Sequence, residues 1–241
     1  IATYTYDALG LGRRIGKVVG SDTTRYVHAG VEAIEEYDGT GATANLRRLY
    51  VFGERIDQVV AMEAPDVADI DQDTDTSEVL RFSFHTQLIG SVTQVTGPSG
   101  GVVESYEYDP YGKPTMKDAG GSTITASAIG NSRMFTARQF DEETGLYHYR
   151  ARAYSPELRR FIQRDPLEYV DGPNAVAYVA AGPARYEDPS GLNRPMLLTG
   201  DDAGTWGRRV DDGWPWGTEP IPGPFTHTLW PHPLLEAGPA C

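Results

Sequence analysis

Polar and apolar residues alternate in short runs along most of this chain. In "ATYTYD" (2–7) and "VVESYEYD" (102–109), tyrosine or valine recurs with threonine or glutamate between. A period of two is the pattern of a half-buried β-strand. "TTRYVHAG" (23–30), "RRLYVFG" (47–53), "DQVVAME" (57–63), "VLRFSFHT" (79–86) and "GSVTQVTG" (90–97) share it. Glycine or proline closes most of these runs, as turns require. No strong amphipathic helical pattern of about 12 residues or more appears. A short helix is expected only around "AVAYVAA" (175–181). The pattern therefore predicts a mainly all-β chain of hairpins with little helix.

The turns carry a repeat. An aromatic residue and Asp, followed closely by Gly, recur at Tyr6-Asp7-Ala8-Leu9-Gly10, Tyr37-Asp38-Gly39-Thr40-Gly41 and Tyr108-Asp109-Pro110-Tyr111-Gly112. Phe140-Asp141-Glu142-Glu143-Thr144-Gly145 is a copy one residue longer. Asp can bond back to a nearby backbone N–H, and Gly takes the positive φ that closes a tight turn.

Composition narrows the function. The 241 residues are enough for a sizeable core. No apolar run approaches the ~20 residues of a membrane span, so none is expected. The start lacks Met and any signal-like segment, which predicts that the natural chain extends upstream. A formal net charge of −13 argues against a phosphate-binding surface, so no nucleic-acid contact is expected through residues 1–192. Cys241 is the single cysteine, which excludes internal disulfides and cysteine-based zinc sites.

The order of motifs is specific. Tyr-Asp repeats lead to "GSVTQVTGPSGGVVESYEYDPYGKPT", then to "FTARQFDEETGLYHYRARAYSPELRRFIQRDPLEYVDGPNAVAYV", and finally to "DPSGL". This order resembles the Rhs/YD-repeat family and, more narrowly, the Rhs repeat-associated core domain of polymorphic toxins. The resemblance covers residues 1–192 and is most specific over 135–192. It implies a spiral β-sheet shell over 1–134 and an inward-curling core or plug over 135–192. A variable C-terminal payload, or its remnant, would follow over 193–241. The implied partners are the chain's own upstream shell and its own C-terminal segment, with secretion machinery and an immunity protein beyond them. The implied setting is secreted or cell-surface-associated.

The same resemblance assigns chemistry to three residues. In the family, two aspartates matching Asp165 and Asp188 act as an internal aspartic protease, and an arginine matches Arg152. The cut falls after the Leu of D-P-x-G-L, here between Leu192 and Asn193. Two adjacent carboxylates can share a proton, so that one accepts from water while the other donates to a carbonyl oxygen. Arg152 would orient a carboxylate or the scissile carbonyl by a bidentate contact. Pro189 and Gly191 would shape the turn that presents its own downstream bond, at high effective concentration. The chain departs from the family where Gly is usual, with Ala137 and Arg159, and where Asn-Pro is usual, with Gly182-Pro183. The first two place a Cβ at positions suited to positive φ. The competing reading is a non-cleaving structural or cell-surface module in which both aspartates only form turns.

Other candidates are weaker. "DQDTDTSE" (71–78) evokes a calcium loop, but Thr76 stands where the loop needs Gly, so it reads as an acidic solvated loop. His85 reads as structural, and His227 and His232 have no carboxylate at ligand spacing, so no metal or other cofactor is expected. After Leu192 the composition changes. All four tryptophans, Trp206, Trp214, Trp216 and Trp230, and eight of the seventeen prolines fall in the last 49 residues. Strand periodicity stops there, at the expected cut.

Overall fold

Eleven strands pair antiparallel in strict chain order, each with its neighbours in sequence. They are β1 (Ala2–Tyr6), β2 (Arg14–Val19), β3 (Asp22–Ala29), β4 (Glu32–Asp38), β5 (Leu46–Phe52), β6 (Val59–Pro65), β7 (Val79–Thr86), β8 (Val92–Thr96), β9 (Val102–Tyr108), β10 (Pro114–Asp118) and β11 (Thr123–Ile124). This computed structural model describes residues 1–8, 12–39, 45–65, 78–169 and 173–192, with strand positions 196–197. The stretch 71–77, the tail tryptophans, His227, His232 and Asn193 lie outside the described residues. The runs expected to be strands are strands, and the described residues are mainly all-β. Within the described residues the sheet is open, with β1 and β11 as its edges.

The Asp of the aromatic-Asp repeat works at hairpin ends. At Asp109 the backbone N–H donates to the Lys113 carbonyl at 3.1 Å. Its Oδ1 accepts the N–H groups of Tyr111 and Lys113 at 2.9 and 2.8 Å. Asp38 repeats the device with Asn45, donating from its N–H and accepting at Oδ1, each at 2.9 Å. One residue therefore satisfies two orphan amides of the turn and sets the strand register. Register shifts in several pairs, as between Val27 and His28 and between Val51 and Phe52, bend the strands further.

One face of the sheet is covered by the chain's own next segment. Tyr50, Met62 and Phe82 lie in one cross-strand row and are all buried. After β11 the chain crosses back over this face, and Glu104 guides it. That buried carboxylate accepts from Ser127 Oγ at 2.8 Å, from the Ala128 N–H at 2.6 Å and from the Ile129 N–H at 3.3 Å. The chain then forms a second sheet of β12 (Gln139–Asp141), β13 (Leu146–Tyr149), β14 (Arg152–Ser155) and β15 (Arg160–Phe161).

Seven aromatic rings centre this second layer: Phe135, Phe140, Tyr147, Tyr149, Tyr154, Phe161 and Tyr178. Tyr154 and Tyr178 approach to 4.3 Å between centroids, and Tyr149 meets Phe161 edge-on at 5.8 Å. Their hydroxyls also find partners, as buried tyrosines must. Tyr147 donates to the Gly112 carbonyl at 2.9 Å and Tyr154 to the Tyr111 carbonyl at 2.7 Å. The small sheet is thereby tied to the β9–β10 turn.

The expected helix at 175–181 does not form. The N–H groups of Asp165 and Phe161 donate to the carbonyls of Ala175 and Val176, so that stretch serves as a pairing partner. Only a 3-10 turn at Val179–Ala181 remains, and all three residues have positive φ, which no right-handed helix permits.

Buried charge also joins the two layers. Arg14 of β2 pairs with Asp141 of β12 at 2.6 Å, and Arg138 pairs with Asp57 at 2.6 Å. A polar cleft between the layers is lined by His28, Glu32, Arg133, Arg138, His148 and Arg150, among others. Burial, and then the Arg13 and Arg133 cations, hold the His28 imidazole at about 4. Burial, followed by Arg14 and Arg138, pushes His148 well below the ordinary histidine value.

Two measurements test this packing. Gly112 has φ +86°, and a Cβ there would stand 2.5 Å from the ring of buried Phe135, whereas Gly121 has φ +82° with open space around it. Gly121→Ala should cost about 1–2 kcal/mol for its φ alone. Gly112→Ala should cost a further ~1–3 kcal/mol for overpacking, read from urea midpoints. The histidines predict a pH effect. The folded chain keeps both neutral while the unfolded chain protonates them near ~6.5, so their contribution to stability falls as pH drops from there towards about 4. Glu187, which burial pushes up to about 7, titrates with the opposite sign. The check is therefore differential: His148→Gln should flatten the loss of stability between pH 7 and pH 4.5 relative to wild type.

Candidate functional site

The turn Asp188-Pro189-Ser190-Gly191 is closed by the Gly191 N–H on the Asp188 carbonyl at 3.3 Å. Asp188 Oδ1 accepts from Ser190 Oγ at 3.1 Å and from the N–H groups of Gly191 and Leu192 at 2.9 and 3.3 Å. Asp188 is only 1% exposed. Gly191 has φ +69°, and a Cβ there would lie 2.2 Å from the Tyr149 carbonyl oxygen. Glycine is thus required twice, by conformation and by close approach. Leu192, the residue before the expected cut, is held by its N–H to Asp188 Oδ1 and to Ser190 Oγ at 3.1 Å.

The hairpin tip between β13 and β14 grips this turn. Three consecutive residues donate to three consecutive carbonyls. The Arg150 guanidinium donates to the Pro189 carbonyl, the Ala151 N–H to the Ser190 carbonyl at 3.2 Å, and Arg152 Nε–H to the Gly191 carbonyl. Arg150 has φ +54° at the first position of a two-residue loop, where such hairpins usually take Gly.

Arg152 then joins the two aspartates. Its Nη2 contacts Asp165 Oδ2 at 3.0 Å and Asp188 Oδ2 at 3.3 Å. One carboxylate from each residue therefore flanks a single nitrogen, and all three side chains are buried. The contact uses one nitrogen for each carboxylate and is not the bidentate fork the sequence suggested. Nη1 donates to the Ala175 carbonyl at 3.3 Å, and the guanidinium lies 3.7 Å from the Phe161 ring centroid. Such a stacked, fully engaged guanidinium has little freedom. Asp165 is fixed as well: its N–H donates to the Ala175 carbonyl at 2.8 Å, and its Oδ1 accepts the Leu167 N–H at 2.8 Å.

The structure thus brings together Arg152, Asp165, Asp188, Pro189, Gly191 and Leu192. Asn193 lies outside the described residues. Ala137 and Arg159, which stand where the family favours Gly, have φ +52° and +58°. His85 bonds across the sheet to Thr96 Oγ1 at 3.1 Å, in keeping with a structural role. Sequence reasoning missed Arg150, Ser190 and Asp57. Arg150 had a local signal, since "RAR" places two arginines either side of a hairpin tip. Asp57 had none, because it meets Arg150 from 93 residues away.

Comparisons place the chain among known proteins. No family model matches it. It is 30% identical over 207 residues to double-stranded DNA deaminase toxin A of Burkholderia cenocepacia, covering 78% of this chain and 14% of that protein. It is 42% identical over 66 residues to the toxin protein Tse5 of Pseudomonas aeruginosa, covering 27% of this chain and 5% of that protein. The chain thus spans a small part of these relatives' own length. Its fold matches the crystal structure of TcdB2-TccC3-Cdc42 with a TM-score of 0.60 at 23% identity, over 79% of this chain and 9% of that one. Among the described residues no helix is long and apolar enough to cross a membrane. The structural likeness shows the fold, and the two sequence likenesses relate the chain to the polymorphic toxins of the Rhs type.

Proposed function

We propose that residues 1–192 form an Rhs core domain that cleaves its own chain once, between Leu192 and Asn193. Residues 1–134 are the end of a β-shell, 135–192 are the plug with its autoprotease, and 193–241 are the payload or its remnant. The observation that carries this reading is the convergence of Asp165 and Asp188 on Arg152 Nη2, with the other oxygen of Asp188 on the Leu192 amide. One carboxylate takes a proton from water as its oxygen attacks the Leu192 carbonyl carbon. The other, protonated, gives its proton to the carbonyl oxygen. The first carboxyl then passes the proton it took from water to the Asn193 nitrogen, and the C–N bond breaks. A hydroxyl of the tetrahedral carbon returns its proton to the second carboxylate, leaving a carboxyl on Leu192 and an amine on Asn193. A turn that carries its own substrate needs only one turnover.

The relatives named as toxins support the wider reading, in which the domain belongs to a secreted or cell-surface shell. Its partners are then its own upstream repeats, the enclosed C-terminal segment, secretion machinery and an immunity protein. A second reading has support in the turn itself. Asp188 Oδ1 gathers backbone amides much as Asp109 Oδ1 does, and a non-cleaving structural module needs nothing more.

Intact mass of the expressed chain separates the two. A fragment beginning at Asn193 is expected from wild type and not from Asp165→Asn or Asp188→Asn. Asp109→Asn should cut normally and lose about 1 kcal/mol of stability, as for a lost cap. A wild-type chain that stays whole overturns the cleavage reading in favour of the structural module.

A further inference from the structure

The grip on the 188–191 turn does not end at the hairpin tip. Arg150 is itself clamped from the large sheet. Its guanidinium meets Asp57 as a fork, Nη1 to Oδ2 at 3.1 Å and Nη2 to Oδ1 at 2.9 Å. Nη2 also reaches Glu32 Oε1 at 3.1 Å. Asp57 lies in the short connection between β5 and β6, with φ +56°. It is pinned there by Arg138 at 2.6 Å and by its own N–H, which donates to Glu32 Oε1 at 2.9 Å. Asp57 is 7% exposed and Arg150 is 8% exposed, so neither charge has water as a ready alternative partner. Burial alone would raise the Asp57 carboxyl, but Arg138 and Arg150 outweigh it and hold it below the usual carboxylate range.

The chain of contacts therefore runs from the β5–β6 loop through Asp57 and Arg150 to the Pro189 carbonyl. That carbonyl lies one residue after Asp188 in the turn that leads to Leu192. We propose that Asp57 is a positioning residue for the cut after Leu192: through Arg150 it sets the turn against the Asp165–Asp188 pair, so that cleavage waits until the large sheet has closed over the small one. This rests on the cleavage reading above. Asp57 touches no reacting atom. Its part is to keep a buried guanidinium aimed at one carbonyl, and a misplacement of the turn by about 1 Å is enough to cost on the order of 100-fold in rate.

The test uses the full chain in two measurements. In the first, protein is made in a cell-free pulse, and uncut and cut masses are followed with time for wild type, Asp57→Asn, Asp57→Glu and Asp22→Asn. Asp22 is the control, since its ion pair with Arg47 lies on the surface. Asp57→Asn should slow the cut on the order of 100-fold, Asp57→Glu should restore part of the rate, and Asp22→Asn should match wild type. In the second, amide exchange is compared with and without Asp57→Asn in an Asp165→Asn background, where the chain stays whole in either case. Gly191 and Leu192 should lose protection while the β13–β14 amides of Tyr149 and Tyr154 keep it. An Asp57→Asn chain that cuts at the wild-type rate with an unchanged turn overturns the proposal. So does equal loss of protection at the turn and along β13–β14, which would make Asp57 merely structural. If wild type itself stays whole, the cleavage reading fails, and the exchange data alone decide whether Asp57 positions the turn.

Discussion

Three carbonyls in a row, those of Pro189, Ser190 and Gly191, are answered by three donors in a row, from Arg150, Ala151 and Arg152. The rest of the site depends on this match. A buried turn has backbone oxygens that lose water on folding, and each must find a donor or cost free energy. Supplying the donors from one hairpin tip fixes the turn's place and its orientation together. The same match explains Gly191, whose Cβ position is occupied by the Tyr149 carbonyl. It also explains why Arg152 can reach two carboxylates: its Nε is already spent on Gly191, which leaves the Nη atoms directed at Asp165, Asp188 and Ala175.

Placing such a site inside requires that its charges be balanced there. Arginines 14, 138, 150 and 152 are all buried, and each is paired with a buried carboxylate. Removing one partner from such a pair typically costs about 3–5 kcal/mol, because the other charge is left without solvent. Three of these arginines link the layers: Arg14 is on the large sheet and Asp141 on the small one, while Asp57 is on the large and Arg138 and Arg150 on the small; the Arg152 pairs lie within the small layer. The aromatic cluster works in the same direction, with Tyr147 and Tyr154 donating into the β9–β10 turn. The layers are therefore specified by directional contacts as well as by burial of apolar area, which alone would tolerate sliding.

Positive φ at non-glycine residues marks where this architecture is tightest. Thr136, Ala137, Arg150, Arg159 and the run Val179–Ala181 all adopt it, and all belong to the layer that carries the site. Left-handed backbone costs an L-residue roughly 1–2 kcal/mol. The surrounding packing holds these residues there, and Thr136 shows how. Its N–H is taken by Ser91 Oγ at 2.9 Å and its hydroxyl meets that of Tyr149 at 2.7 Å.

By itself, the sequence determined what depends on neighbours along the chain. Alternation in "ATYTYD" or "VLRFSFHT" specifies strands, because successive side chains of a strand face opposite sides. Asp followed closely by Gly specifies hairpin ends, because the Asp side chain caps amides within a few residues. The motif order also pointed to Asp165, Asp188 and Arg152, which the fold brings into contact. The helix expected at 175–181 failed because the carbonyls of Ala175 and Val176 were claimed by Asp165 and Phe161, a demand no local pattern records. Only the tertiary structure decided that Glu104 would steer the crossing chain, and that Asp57 would anchor Arg150 against the turn. Those roles rest on a buried carboxylate meeting its donors, amides for Glu104 and a guanidinium for Asp57, across long stretches of chain. A carboxylate on a strand or loop reads the same in sequence whether it ends in water or against a guanidinium.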